Sequence, residues 1–140
     1  RNTQVNDLAP LQNLERLEHL SINHVSASNV DLLAQLKSLK SLVIENTFAS
    51  DLSLLTRLHK LTNLELHHPT ENDLEHVAAI QSLRVLDIKG AAISNRTVLT
   101  NLKNLHELNL TSTQISDELI QSIRKALPNC NIFYLPSPLP

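Results

Sequence analysis

The residues best equipped for chemistry in this 140-residue chain are two carboxylates and two imidazoles, Glu45, Glu65, His67 and His68. Glu45 and His67 lie 22 positions apart, with Glu65 just ahead of His67 and His68 directly after it. If neighbouring strands carried them, their side chains would stand within ~5 Å of one another, close enough for carboxylate and imidazole to bind zinc. No established metal spacing accompanies them, and nothing in the sequence supplies the outer partners a built site needs. Adventitious binding is the favoured reading, and neither a metal nor a cofactor is expected. Cys130, the only cysteine, sits beside Pro128 and Asn129 and reads as a small buried residue rather than a catalytic thiol. Gly90 is the only glycine, which excludes a phosphate-cradling loop. No nucleophile constellation is visible, so an enzyme is not expected. Asn95-Arg-Thr and Asn109-Leu-Thr match the glycosylation triplet. Without disulfides to support secretion, both triplets read as coincidental.

These side chains are positioned by a repeat. Leu17, Leu39, Leu61, Leu83 and Leu105 each open an LxxLxL hexad, and they recur every 22 residues. Self-similarity at such a period is the signature of a solenoid, in which each unit buries its apolar face only against its neighbours. Counting the opening leucine as position 1, positions 4 and 6 are Leu20/Ile22, Leu42/Ile44, Leu64/Leu66, Leu86/Ile88 and Leu108/Leu110. Apolar residues there, with polar ones between, give the period-two alternation of a short half-buried strand. Stacked strands of this kind make a parallel sheet. Positions 12 and 13 hold Ser28-Asn29, Ser50-Asp51, Asn72-Asp73, Ser94-Asn95 and Ser116-Asp117, types that cap turns and helix starts. Apolar residues follow at position 17 (Leu33, Leu55, Val77, Leu99) and position 20 (Leu36, Leu58, Ile80, Leu102), spaced for a 3₁₀ or single α turn. Positions 1, 4, 6, 17 and 20 are the expected core.

The two ends differ. Val5, Asn6, Asp7 and Leu8 align with positions 11 to 14 of a preceding repeat whose strand is missing, so the chain starts in mid-repeat, as a fragment of a longer array or with an improvised cap. An uncovered first strand would leave an exposed sheet edge. Downstream, Leu119, Ile120, Ile123, Ala126 and Leu127 follow helical spacing, with Ser116 placed to cap and Pro128-Asn129 to terminate. This segment is two residues longer than its counterparts and predicts a true α-helix. Asn131 to Leu135 reads as a last strand with Ile132 and Tyr134 inward, and Pro136, Pro138 and Pro140 stop further pairing. The expectation is a natural cap close to the true C-terminus. One domain over 1–140 accommodates all of this: a partial repeat over 1–16, five repeat starts over 17–115, and a helix, strand and Pro-rich tail over 116–140.

Composition agrees with such a core. Leucine, isoleucine and valine dominate, and the only aromatics are Phe48, Phe133 and Tyr134. The formal charge of −2 offers no bulk attraction to nucleic acid or to an anionic membrane. A lone cysteine permits no intrachain disulfide, which favours a reducing, cytoplasmic compartment or a bacterial source. A secreted bacterial effector or surface protein is the other reading. No stretch approaches a membrane span, and a monomer is expected.

The pattern resembles the leucine-rich repeat family over nearly the whole chain. Its 22-residue length and the LTSTQISD stretch are closest to the bacterial internalin-type class. The resemblance implies an α/β solenoid, a right-handed horseshoe or arc with strands on the concave side, short returns on the convex side and protein–protein recognition as its role. Two departures stand out. Position 9, commonly Asn in the family, holds Val25, Thr47, Pro69, Ala91 and Thr113, of which only Thr offers a side-chain hydrogen bond. Position 11, usually aliphatic, is Glu71 in the third repeat. A locally irregular loop is expected over 67–72, bulging from the array with Glu71 exposed, because a buried Glu would be costly.

The expected binding surface is the set of polar strand positions. Position 3 reads His19, Ser41, Asn63, Val85, Glu107; position 5 reads Ser21, Val43, Glu65, Asp87, Asn109; position 7 reads Asn23, Glu45, His67, Lys89, Thr111; position 8 reads His24, Asn46, His68, Gly90, Ser112. These columns vary from repeat to repeat, as recognition requires and as a merely solvated face also would. Glu45, Glu65, Asp87 and Glu107 stand against Lys89, so with histidines counted as neutral the face is acidic and suits a protein partner with a basic patch. Bases cluster ahead of the strands (Lys37, Lys40, Arg57, Lys60, Arg84, Lys103) and acids after them (Asp51, Asp73, Glu75, Asp117, Glu118). Complementing the dipoles of the helical returns is the favoured reason, over two recognition rims. The function expected is a non-enzymatic protein-binding module; the alternative is a structural, capping segment of a larger protein or effector whose activity lies elsewhere.

Overall fold

A computed structural model describes residues 8–23, 30–45, 52–95 and 97–135. Six strands, β1 (His19–Asn23), β2 (Ser41–Glu45), β3 (Asn63–His67), β4 (Val85–Lys89), β5 (Glu107–Asn109) and β6 (Asn131–Phe133), form one parallel sheet in sequential order. The pairing carries the repeat directly: Leu42 stands opposite Leu64, Leu64 opposite Leu86, and Leu86 opposite Leu108. The step lengthens by two residues only at the end, where Leu108 meets Ile132, because the segment between β5 and β6 holds the longest helix. Each strand returns through a short helical piece on the opposite face: α1 (Val30–Leu33), a 3₁₀ helix over Leu52–Arg57, α2 (Glu71–Ala78), α3 (Thr97–Thr100) and α4 (Asp117–Ala126). A further 3₁₀ turn, Ala9–Leu11, precedes β1. This is an α/β solenoid with sheet on one side and helical returns on the other.

The core follows the predicted phase. Positions 6, 17 and 20 are buried wherever they are described, and positions 1 and 4 are buried in the second to fifth repeats. Leu17 and Leu20 are only half-buried, because β1 pairs with β2 alone among the described strands. Leu8 is buried, in keeping with its place at position 14 of a partial repeat. At position 9, Pro69, Ala91 and Thr113 all face inward. The Thr113 hydroxyl donates to the Leu110 carbonyl of its own repeat, 2.7 Å away, rather than across to the next.

The third repeat departs from expectation. In place of an irregular loop as far as residue 72, α2 begins at Glu71 and runs two turns. Thr70 caps it in a reciprocal box with Asp73: the Thr70 hydroxyl accepts from the Asp73 amide while the Asp73 carboxylate accepts from the Thr70 amide. The cap therefore sits two residues before the Asn72-Asp73 pair. Glu71 is half-exposed and its carboxylate points outward, as the cost of burial requires. It is nonetheless tied to the next repeat, accepting from the Ser94 amide and hydroxyl at 2.6 Å each and from the Asn95 amide at 3.0 Å. Those three donors hold its carboxyl below the usual range. His68 leaves β3 with a left-handed φ of 54°, as Gly90 (68°) and Ser112 (60°) do at the same position of the next two repeats.

Ser116 caps α4 by accepting from the Leu119 amide, as its spacing predicts. Asn95 accepts from the Thr97 amide at the start of α3. The bases ahead of the strands donate to carbonyls where the returns end: Lys37 to Ala34, Lys103 to Ala126, and Arg84 to Ser82 and Leu83. They neutralise the negative ends of those turns. Val5, Asn6, Asp7, His24, Val25, Ser28, Asn29, Asn46, Thr47, Ser50, Asp51, Pro136, Pro138 and Pro140, on which other expectations rest, lie outside the described residues.

Candidate functional site

Strand alternation decides which side chains reach the concave face. Positions 4 and 6 point into the core, so 3, 5 and 7 point out. The register then builds the columns: His19 beside Ser41, Ser41 beside Asn63, Asn63 beside Val85 and Val85 beside Glu107; Ser21 beside Val43, Val43 beside Glu65, Glu65 beside Asp87 and Asp87 beside Asn109. Asn23 pairs with Glu45, and His67 with Lys89.

At the centre of the face these columns form a charged network. The Glu65 Oε1 atom accepts from Lys89 Nζ at 2.6 Å and from His67 Nε2 at 2.8 Å. The hydrogen bond from His67 and then that from Lys89 hold the Glu65 carboxyl below the usual carboxylate range. Asp87, its neighbour, has the opposite fate. Asn109 donates to its Oδ2 at 3.0 Å and Lys89 stands 3.6 Å from that oxygen, but Oδ1 is enclosed with no hydrogen-bond partner among the described residues. Burial pushes the Asp87 pKa up. Asn109 also accepts from the Thr111 amide, which links Thr111 to the network. Glu45 and Glu107 form no ion pair among the described residues. Between β2 and β5 the face dips into an open hollow of about 170 Å³, lined by Val43, Asn63, Glu65, Val85, Asp87 and Glu107 among others.

The cluster considered for zinc is only partly assembled. Glu65 and His67 meet, but their third neighbour is the Lys89 ammonium, a cation where a metal would stand. No three His, Cys, Asp or Glu side chains come together in a metal-holding group among the described residues. His68 leaves the strand in the left-handed region and lays its ring where a Cβ on Gly90 would project. Cys130 is half-buried, and burial first, then the negative charge of Glu107, push its thiol pKa up, away from the nucleophilic thiolate. Within the glycosylation triplets, Asn95 and Asn109 both use their side chains internally.

Two outward residues escaped the sequence reading of the face. Phe133 stands beside Asn109 in the position 5 column, and Leu135 is two residues further along, with its carbonyl accepting from the Ser112 amide. They are 52% and 66% exposed. The signal was present, since turning Ile132 and Tyr134 inward turns their neighbours out. Tyr134 does pack inward and its hydroxyl donates to the Ile115 carbonyl at 3.2 Å.

No family model and no curated protein sequence matches the chain. Solved structures do. An internalin (InlF) of Listeria monocytogenes superimposes with a TM-score of 0.68 at 26% identity, over 96% of this chain and 47% of that one. Internalin C2 of the same organism gives 0.65 at 26% identity, over 98% of this chain and 69% of that one. A leucine-rich repeat protein of Leptospira interrogans gives 0.67 at 24% identity, over 92% of this chain and 34% of that one, which is a likeness of fold. The chain thus spans about half the length of the InlF internalin and about a third of the Leptospira protein. Among the described residues no helix is long and apolar enough to cross a membrane. The fold is one typical of protein-interaction modules. The 22-residue register of the sheet and the whole-chain superpositions show that this chain has the leucine-rich repeat fold and is similar in structure to the internalins.

Proposed function

We propose that the chain is a non-enzymatic module that binds a protein partner on its concave strand face, and that the partner presents a basic patch there. The observation that carries this reading is the composition of the outward columns. Side chains at one position differ from strand to strand, from His19, Asn63 and Glu107 to Ser21, Glu65, Asp87 and Asn109. A solenoid spends its repeated residues on the core and leaves these free to specify a surface. Four acids, Glu45, Glu65, Asp87 and Glu107, face one lysine, Lys89, and such a field steers a positively charged partner into register.

Charge reversal on the two faces tests the reading. Glu65→Lys with Asp87→Lys should weaken binding to a partner recovered by affinity pull-down at least about tenfold, through lost attraction and new repulsion. Lys37→Glu with Lys60→Glu, ahead of the strands, should leave the affinity within about twofold. Equal loss from both pairs, or loss from the Lys37/Lys60 pair alone, would move the binding site off the concave face.

A further inference from the structure

We propose that the C-terminal end of the concave face is an anchor site for a partner polypeptide, Phe133 and Leu135 taking a large apolar side chain while a lysine or arginine of the same segment reaches Glu107 and Asp87. This deepens the concave-face reading above and rests on it.

Among the described residues, exposed large apolar side chains are concentrated at this end. The chain has three aromatic residues. Tyr134 is turned into the core, whereas Phe133 presents half its surface to solvent on the same short strand. The other exposed large hydrophobic among the described residues, Leu14, lies ahead of β1 at the far end of the sheet. A protein that is almost free of aromatics elsewhere and places one outward on its recognition face has the composition of an interface anchor, where aromatic residues carry a disproportionate share of binding energy.

The charge beside it defines the rest of the occupant. β6 pairs with β5, placing Phe133 against Asn109 and Asn131 against Glu107; Asp87 is one strand further on. Strands ~4.8 Å apart set Phe133 about 10 Å from the Asp87 column, a span within reach of neighbouring side chains on one peptide. Among the described residues Glu107 forms no ion pair, and the Asp87 side chain keeps 20% of its surface exposed. The hollow beside them, lined by Val43 and Val85 as well as the carboxylates, receives the aliphatic stem of a lysine or arginine while its head meets Glu107 and Asp87. A second copy of this chain is a poor occupant, because pairing two such ends would bring acidic faces together.

The test uses a displayed library of random twelve-residue peptides selected on the whole chain. Enriched peptides should carry a Leu, Phe, Trp or Ile within about four positions of a Lys or Arg. Phe133→Ala, whose wild-type side chain is exposed and whose thermal midpoint should match wild type, should weaken those peptides at least about tenfold. Asp87→Asn with Glu107→Gln should weaken them similarly and flatten the dependence of affinity on salt, which Phe133→Ala should leave intact. Peptides that bind Phe133→Ala at full strength yet are lost on Glu65→Lys with Asp87→Lys would overturn the anchor while leaving the concave-face reading standing. Peptides indifferent to all of these substitutions would overturn both. Enriched peptides without a basic residue, a selection that enriches nothing, or a dimer in sedimentation that Phe133→Ala dissolves would each overturn the anchor.

Discussion

Glu65 and Asp87 hold the same outward position on adjacent strands, yet their carboxyls feel opposite environments. Glu65 is lowered by its bonds from His67 and Lys89, so its ionised form stabilises the fold. That contribution is present above its unfolded pKa and is lost as pH falls through the folded one. Asp87 is raised by burial, so its ionised form is a liability that is relieved as pH falls through its folded pKa. Glu65→Gln should therefore lower the thermal midpoint near pH 7, with the difference from wild type closing in acid. Asp87→Asn should hold or raise the midpoint near pH 7. Midpoints of the three proteins between about pH 3 and pH 7 check this, and an Asp87→Asn protein clearly less stable at neutral pH would show its charge to be structural. Position 8 carries a different constraint: His68, Gly90 and Ser112 have φ of 54°, 68° and 60°, so the chain leaves three successive repeats through the left-handed region. Gly90→Ala meets that backbone penalty and the His68 ring, into which the added Cβ would project. It should cost about 1–3 kcal/mol in denaturant unfolding. His68→Ala in the same background should recover the steric share, so additive losses would argue against the contact.

Among the elements, α2 shows how local chemistry overrode a reading based on the repeat average. Pro69 removes a donor and Glu71 breaks the aliphatic column, so an outward loop was the natural expectation. The Thr70–Asp73 box starts a helix instead, at the residue after the proline-led turn, and Leu74 and Val77 bury its inner edge. Thr70→Ala should cost about 1 kcal/mol in chemical denaturation, since it leaves the Asp73 amide without its acceptor. A change too small to measure would mean that packing on the 3₁₀ helix and α3 holds α2 without its cap. The cap is legible as a Thr three residues before an Asp, but the repeat register alone places the capping residues at Asn72-Asp73. In α4 both cues coincide at Ser116, and there expectation and structure agree.

At the scale of the whole molecule, a stacked array makes the worth of a leucine depend on its neighbours on both sides. Leu64 is buried between Leu42 and Leu86, whereas Leu20, at the same repeat position, has Leu42 as its one strand partner among the described residues and is half-buried. Leu64→Ala should cost about 2–5 kcal/mol through cavity formation, and Leu20→Ala distinctly less. Paired denaturation curves decide it; equal costs would refute the nearest-neighbour picture, and a negligible cost at Leu64 would refute the register. The sequence alone determined the strand phase, the core positions, the α4 cap and which columns face outward, because one 22-residue period with alternating apolar residues admits one way to bury them all. Tertiary structure decided what those columns do to one another. That Lys89 serves Glu65 more closely than Asp87, that one Asp87 oxygen is left enclosed, that Glu71 reaches across to Ser94 and that Phe133 stands beside Asn109 all depend on contacts between repeats. A period specifies which side chains are neighbours; rotamer choice and burial, set by every neighbour at once, specify which of them bond.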